Sequence, residues 1–223
     1  MIRVHHLEKS RSHRVLWLLE TLALDYEMVT YARDSDTQLA PKALKDIHPL
    51  GKSPVITDGD ITVAESGAIV DYLLMRYGQG QTEPSPDNSA AWVNERYWRH
   101  YAEGSLMPLL VMRLVFAQLP KQSPLMIKPI AKGINATINE RFLAPQLAEH
   151  LAMIEAHLEP RGQFSTAWPS GADVQMSFPL QALSLSDSLR DYPAITRYVA
   201  RIEDDPAWQR VVERAGPLTL PGI

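Results

Sequence analysis

Residues 51–73 constrain the fold of this chain more than any other stretch. Val55-Ile56-Thr57 is a short β-branched run, Asp58-Gly59-Asp60 is a turn signal, and Ile61-Thr62-Val63 is a return strand, so the segment reads as a tight hairpin. Glu65 and Ser66 then open an amphipathic helix. Its apolar positions Ile69, Val70, Leu73, Leu74 and Tyr77 fall on one face, and Arg76 with Gly78 marks its end. Proline has no N–H to give a strand ladder, so Ser53-Pro54 marks either a sheet edge or a kink, with a cis peptide as one way to make the kink. A carboxylate and a hydroxyl at a helix N-terminus, facing backbone N–H groups, suit a small zwitterion that carries its own carboxylate and ammonium.

The elements before the hairpin complete a unit. Ile2–Leu7 reads as a first strand, residues 14–22 as a strongly apolar helix, and Tyr26–Tyr31 as an alternating second strand. That spacing implies a parallel pair with a right-handed crossover. Residues 38–46 read as a short helix or an irregular turn. The order β-α-β-α-β-β-α describes a mixed sheet with helices on its faces. At residues 78–86 the composition turns to Gly, Pro and polar residues, the best linker in the chain. Everything after it reads as helix. Residues 87–119 form one long helix bent by Pro108. Residues 126–158 form another, weakened near Pro129 and Gly133 and bent near Pro145. Ser170 and Asp173 have capping-box spacing and open a helix through about Leu185. Residues 193–202 form a further helix. Asp205 and Pro206 supply an N-cap and an N1 proline for residues 207–214, which Gly216-Pro217 stops.

Composition narrows the function classes. A chain of 223 residues with 45% hydrophobic and 22% charged residues has enough apolar material for one large core or two small ones, and is not disordered. Net charge is −4, so nothing global favours nucleic acid. No run of about 18 apolar residues suggests a membrane span. The chain goes straight into Ile2-Arg3-Val4-His5 without an apolar signal-peptide core, so the expectation is a cytoplasmic protein. The absence of cysteine excludes disulfides, thiolate metal sites and a cysteine nucleophile of the protein's own. His5 and His6 are adjacent rather than four apart, Asp204-Asp205 reads as a helix cap, and there is no Gly-rich phosphate loop, so no metal is expected. Residues 64–68 are not a nucleophile elbow, because neither flanking glycine is in place.

The βαβαββα unit, the proline after its third connection, Glu65-Ser66 opening the last helix, and the all-helical C-terminal half together resemble the cytosolic glutathione transferase family. The resemblance covers the whole chain. It rests on Gly51-Lys52-Ser53-Pro54-Val55, on Glu65-Ser66, on residues 10–20 and on the box at residues 170–173. Residues 10–20 are most similar to the fungal and bacterial branch whose yeast members are membrane-associated glutathione transferases. The resemblance implies an α/β thioredoxin-like N-terminal domain (1–80) that binds glutathione, a linker (81–86) and an all-α C-terminal helical bundle (87–223). It implies a homodimer, with the first domain of one subunit on the second domain of the other. It further implies detoxification chemistry, with glutathione as co-substrate and a small hydrophobic electrophile that is conjugated, or a hydroperoxide that is reduced.

Residue roles follow from the resemblance. Glu65 and Ser66 hold the γ-glutamyl end of glutathione. The backbone of Ser53 pairs with the cysteinyl backbone, which needs a cis Pro54. Lys52 meets the glycyl carboxylate, the alternative being a solvated surface lysine. A free thiol has a pKa of ~8.5, so lowering it by ~2 units takes about 2.7 kcal/mol of differential stabilisation. Family members carry Tyr, Ser or Cys near the end of the first strand. Cysteine is absent and no tyrosine precedes Tyr26, which leaves Ser10 and Ser12, with Arg11 and Arg14 beside them. Ser10, four residues before Arg14, has the spacing of the serine-type relatives and is the first choice. Ser12 is the second, and Arg11 helps or replaces them. The alternative is that one or both serines cap the helix. On the long helix, Tyr97, Tyr101, Met107 and Arg113 are the candidate electrophile pocket, whereas Trp92, Trp98 and Met112 read as bundle core. Arg99 and Arg113 either face the cleft or form rim ion pairs. The rival reading is a non-catalytic member of this fold that binds glutathione or a protein partner without turnover.

Overall fold

The computed structural model describes residues 1–37, 39–80 and 82–219. The start of the expected short helix at Gln38, the start of the linker at Gln81, and residues 220–223 of the expected helical domain lie outside the described residues.

Strands β1 (Ile2–Leu7) and β2 (Tyr26–Tyr31) run parallel across helix α1 (Ser12–Thr21), with Ile2 opposite Tyr26 and Leu7 opposite Tyr31. The short helix α2 spans Ala43–Ile47. The hairpin is β3 (Val55–Asp58) and β4 (Ile61–Ala64), turning with Asp58 opposite Ile61. β3 also pairs antiparallel with β1, giving the sheet order β2-β1-β3-β4. Pro54 therefore precedes an interior strand rather than lying on an edge, and the Ser53–Pro54 bond is cis. Helix α3 (Ser66–Tyr77) follows the hairpin directly. In α1, Ser12 through Leu19 are all buried, as expected of a helix enclosed on every side: it packs on α3, on α8 (Gly171–Ser184) and on α10 (Pro206–Ala215).

The long helix is continuous but not uniform. α4 (Ser89–Tyr101) passes through a π turn at Ala102–Leu106 into α5 (Met107–Gln122), and α6 (Lys128–Ile138) passes through a π turn at Asn139–Leu143 into α7 (Ala144–Leu158). Each π turn ends just before a proline, Pro108 or Pro145. A proline ring collides with the carbonyl four residues back and offers it no N–H, and widening the preceding turn by one residue relieves both problems. The two positions at which the sequence led to an expected bend carry these π turns. α9 (Pro193–Glu203) and α10 complete the bundle. Asp205 caps α10 by accepting from the N–H groups of Ala207 (2.8 Å) and Trp208 (3.3 Å).

The run Ser89–Gln122 is long and apolar enough to cross a membrane by length and composition, which amends the sequence reading. Its first half, however, carries Glu95, Arg96, Arg99 and Glu103, all ion-paired within the protein. Arg99 is buried among Asp71 of α3, Glu83 and Glu95, and Glu95 also accepts the Ala172 N–H at 2.7 Å. Arg99 thus faces the seam between α3, α4 and α8, not a cleft. A side chain at Gly171 would collide with its guanidinium. One apolar cluster crosses the same seam, from Val4 and Ile56 of the sheet through Leu16 and Leu73 to Val174 and Ile195.

The capping box at the head of α8 is fully buried. The Asp173 carboxylate accepts from the N–H groups of Ser170 and Phe164, both at 2.9 Å, and from the Ser170 hydroxyl at 2.6 Å. Burial pushes the Asp173 carboxyl up to about 6, against those hydrogen bonds. Its native pKa thus lies above the unfolded value of about 3.8. Between roughly pH 4 and 6 the native state holds a proton that the unfolded chain has lost, so this group makes stability fall as pH rises through that window, by roughly 3 kcal/mol in all. Asp173→Asn keeps an acceptor for the cap and is expected to remove this component: urea midpoints of wild type and variant should diverge between pH 4 and 6 and run parallel above it. Parallel curves throughout would contradict the assignment.

Candidate active site

The loop between β1 and α1 gathers the serines. Lys9 takes a left-handed φ of 54°, and the chain then turns Ser10 inward, where it is only 6% exposed. Ser10 Oγ is 2.8 Å from Ser12 Oγ and donates to Ser53 Oγ at 3.4 Å. Ser53 Oγ in turn donates to the carbonyl of His5 at 2.8 Å and accepts the Leu7 N–H at 3.2 Å. Ser10, Ser12 and the Ser53-Pro54 corner are thereby brought together. The helix cap proper is Arg11, which makes no side-chain capping bond among the described residues, and the capping alternative is met there by Ser10 accepting the Ser12 N–H at 3.3 Å. His6 Nδ1 stands 2.6 Å from Ser12 Oγ. His13 donates through Nε2 to the carbonyl of Gly216 at 3.2 Å, tying the end of α10 to this loop.

A second cluster lies at the start of α3. Glu65, just before the helix, has φ 71° and ψ 125°, a sparsely populated backbone conformation for a non-glycine residue that costs about 1–3 kcal/mol and tends to persist at functional sites. Ser66 is buried, and its hydroxyl donates to Gln175 Oε1 of α8 at 3.2 Å. Arg14 of α1 is fully buried and donates to Ser66 Oγ at 3.4 Å, to Glu103 Oε1 at 2.7 Å and to Gln175 Oε1. Glu103 sits in the first π turn, and Arg11 Nε approaches the same carboxylate oxygen at 3.4 Å. Both guanidiniums lie over Phe178, at 5.0 Å for Arg14 and 5.7 Å for Arg11. Burial lowers Arg14 to about 10, opposed by Glu103, so it stays cationic at neutral pH. Two cations thus share one carboxylate. Arg14 Nε and Nη2 and Gln175 Nε2 are buried donors without a partner among the described residues. Unfilled donors beside a helix N-terminus with excess positive charge are suited to a carboxylate.

The other candidates are more scattered. Lys52 and Glu65 are exposed, and neither side chain forms an ion pair among the described residues. Tyr97 and Tyr101 line a groove of about 800 Å³ between α4 and α7, with His150 and Met153 opposite. Met107 is buried in the core instead, and Arg113 donates to Ser188 Oγ at 3.1 Å. Of the four residues read as an electrophile pocket, Tyr97 and Tyr101 share this groove, whereas Met107 and Arg113 are not among its lining residues. Trp98 is buried as expected, but Trp92 is 37% exposed and lines the same groove, so it is not core. Sequence reasoning missed His6, Glu103, Gln175 and Phe178. Gln175 carries a faint signal, one of several polar residues in a helix whose first thirteen residues are all buried.

Comparison with known proteins identifies the family. The sequence model of the family described as "Glutathione S-transferase, N-terminal domain" matches residues 1–75. The chain is 33% identical over 221 residues to Glutathione S-transferase 3 of Schizosaccharomyces pombe, covering 99% of this chain and 90% of that one. It is also 33% identical over 229 residues to Glutathione S-transferase 1 of Saccharomyces cerevisiae, covering 98% and 97%. A glutathione S-transferase crystal structure from Actinobacillus pleuropneumoniae superposes with a TM-score of 0.80 at 35% identity, covering 100% of this chain and 97% of that one. This chain belongs to the glutathione S-transferase family. Its likeness to yeast and bacterial members bears out the branch suggested by residues 10–20.

The Arg14 cluster is testable without any ligand. Glu103→Leu leaves a buried guanidinium short of its counter-charge and is expected to cost on the order of 2–3 kcal/mol, read as a lower urea midpoint at constant slope. The double variant Arg14→Met/Glu103→Leu should recover much of that loss. Equal loss in both would contradict the pairing.

Proposed function

We propose that residues 1–80 of this glutathione transferase bind glutathione, that residues 87–223 form the helical domain beside it, and that the β1–α1 loop stabilises the glutathione thiolate for attack on a hydrophobic electrophile. One observation carries the reading: buried donors of Arg14 and Gln175, unpartnered among the described residues, stand beside the Ser66 hydroxyl at the N-terminus of α3. The γ-glutamyl carboxylate takes those donors and the Ser66 N–H. The exposed carboxylate of Glu65 takes its ammonium. The Ser53 backbone pairs with the cysteinyl residue before the cis Pro54, and Lys52 reaches the glycyl carboxylate. Held along this line, the thiol comes to Ser10, whose hydroxyl donates to the developing thiolate, with Ser12 behind it and Arg11 as the nearby cation. The protein contributes binding, orientation and a lowered thiol pKa; the electrophile is then conjugated, or a hydroperoxide reduced. A cytoplasmic homodimer acting in detoxification is the setting in which we read this chemistry.

Retention on immobilised glutathione together with turnover of a chromogenic aryl halide is expected. Ser10→Ala should lower kcat by roughly a hundredfold with little change in KM for glutathione, as for loss of one donor to a developing anion. Ser66→Ala should instead raise the glutathione Kd by about tenfold. Binding without turnover of aryl halides, epoxides or hydroperoxides would favour the non-catalytic reading. Full kcat in Ser10→Ala would move the thiol assignment elsewhere.

A further inference from the structure

His6 takes no part in the chemistry above, yet it is 1% exposed and its Nδ1 lies 2.6 Å from Ser12 Oγ. The line of contacts continues to Ser10 Oγ at 2.8 Å. Ser53, on the far side of Ser10, has its own hydroxyl proton committed to the carbonyl of His5, so towards Ser10 it only accepts. Burial, with the neighbouring His13 ring as the second cause, lowers His6 to about 4, and at neutral pH its ring carries a single N–H. The titratable groups around this line are His13, edge-on at 5.2 Å, and, from the same loop and helix, Arg11 and Arg14 paired with Glu103.

Counting protons along the line decides the tautomer. A thiolate held at Ser10 accepts the Ser10 hydroxyl proton. Three contacts then stand in series, His6 to Ser12, Ser12 to Ser10, and Ser10 to sulfur, and each needs one proton. The two serines bring one each, so the third must come from the imidazole. With the proton on Nε2, Ser12 would donate to Nδ1, and the 2.8 Å contact between the serines would face lone pair to lone pair once Ser10 turned to the sulfur. With the proton on Nδ1, every contact is filled in the same direction, and each donor is polarised by the one behind it.

We propose that His6 is a positioning residue for thiol activation: its Nδ1–H donates to Ser12 Oγ and so directs the hydroxyl protons of Ser12 and Ser10, in series, towards the glutathione sulfur. The inference rests on the reading that Ser10 meets that sulfur. His6 neither gains nor loses a proton in the step, and the thiol proton leaves to solvent.

The test is a pH titration of the far-ultraviolet absorbance of thiolate in the enzyme–glutathione complex. Ser10→Ala should raise the titration midpoint by about two units, and His6→Leu by about one unit. His6→Asn, whose amide N–H reaches where Nδ1–H stood, should stay close to wild type, whereas a merely structural role would move thermal stability and leave the midpoint in place. A midpoint raised by Ser10→Ala but unmoved by His6→Leu overturns the role of His6 and leaves that of Ser10 standing. A midpoint unmoved by Ser10→Ala overturns both. Nitrogen NMR of the unsubstituted protein with glutathione reads the tautomer without any variant: a protonated Nδ1 is expected, and a proton on Nε2 overturns the proposal.

Discussion

A guanidinium with no solvent exposure has to be answered by the protein around it, and much of the site is arranged to answer Arg14. Its partners come from three elements: Ser66 at the head of α3, Glu103 in the π turn ahead of Pro108, and Gln175 in the second turn of α8. Each is fixed by a local device. Ser66 is placed by the hairpin and by the unusual backbone of Glu65. Glu103 lies in a turn that widens ahead of Pro108, and Gln175 sits one turn beyond a buried capping box. The cluster therefore couples the sheet unit to the bundle at the point where the substrate's charged end is proposed to sit.

The answer to Arg14 is incomplete, and the proposed binding of glutathione rests on that. Glu103 is shared with Arg11, and several buried N–H groups have no acceptor among the described residues. A carboxylate arriving there gains charge-assisted hydrogen bonds that are already oriented. On the proposed reading, binding energy at this end holds the thiol against the serines at the other, converting an encounter into a positioned reaction.

Much of the fold was legible in the sequence because it follows from local rules. The hairpin, α3, the capping box of α8 and the Asp205-Pro206 start of α10 are each written in turn and cap residues a few positions apart. The two long helices were visible in the sequence, and Pro108 and Pro145 marked where each is interrupted; that the interruption takes the form of a π turn was not predicted. The site was legible only where the chain is read in order, at residues 10–14, 52–54 and 65–66. Arg14 meets partners 52, 89 and 161 positions away, separations at which side-chain identity carries no spacing signal. The helix face turned to solvent was equally hidden, which is why Trp92 was misplaced in the core and why Met107 and Arg113 were grouped with Tyr97 and Tyr101, which alone of the four line the groove.

The central claim is that one extended tripeptide spans the two clusters, its γ-glutamyl carboxylate at Arg14 and Ser66 and its sulfur at Ser10. A crystal structure with glutathione bound tests it most directly. The account predicts the sulfur within hydrogen-bond reach of Ser10 Oγ and the carboxylate on the Ser66 N–H with Arg14 behind it. A sulfur whose nearest donor is Arg11 or Ser12, or a carboxylate seated away from the start of α3, would contradict it.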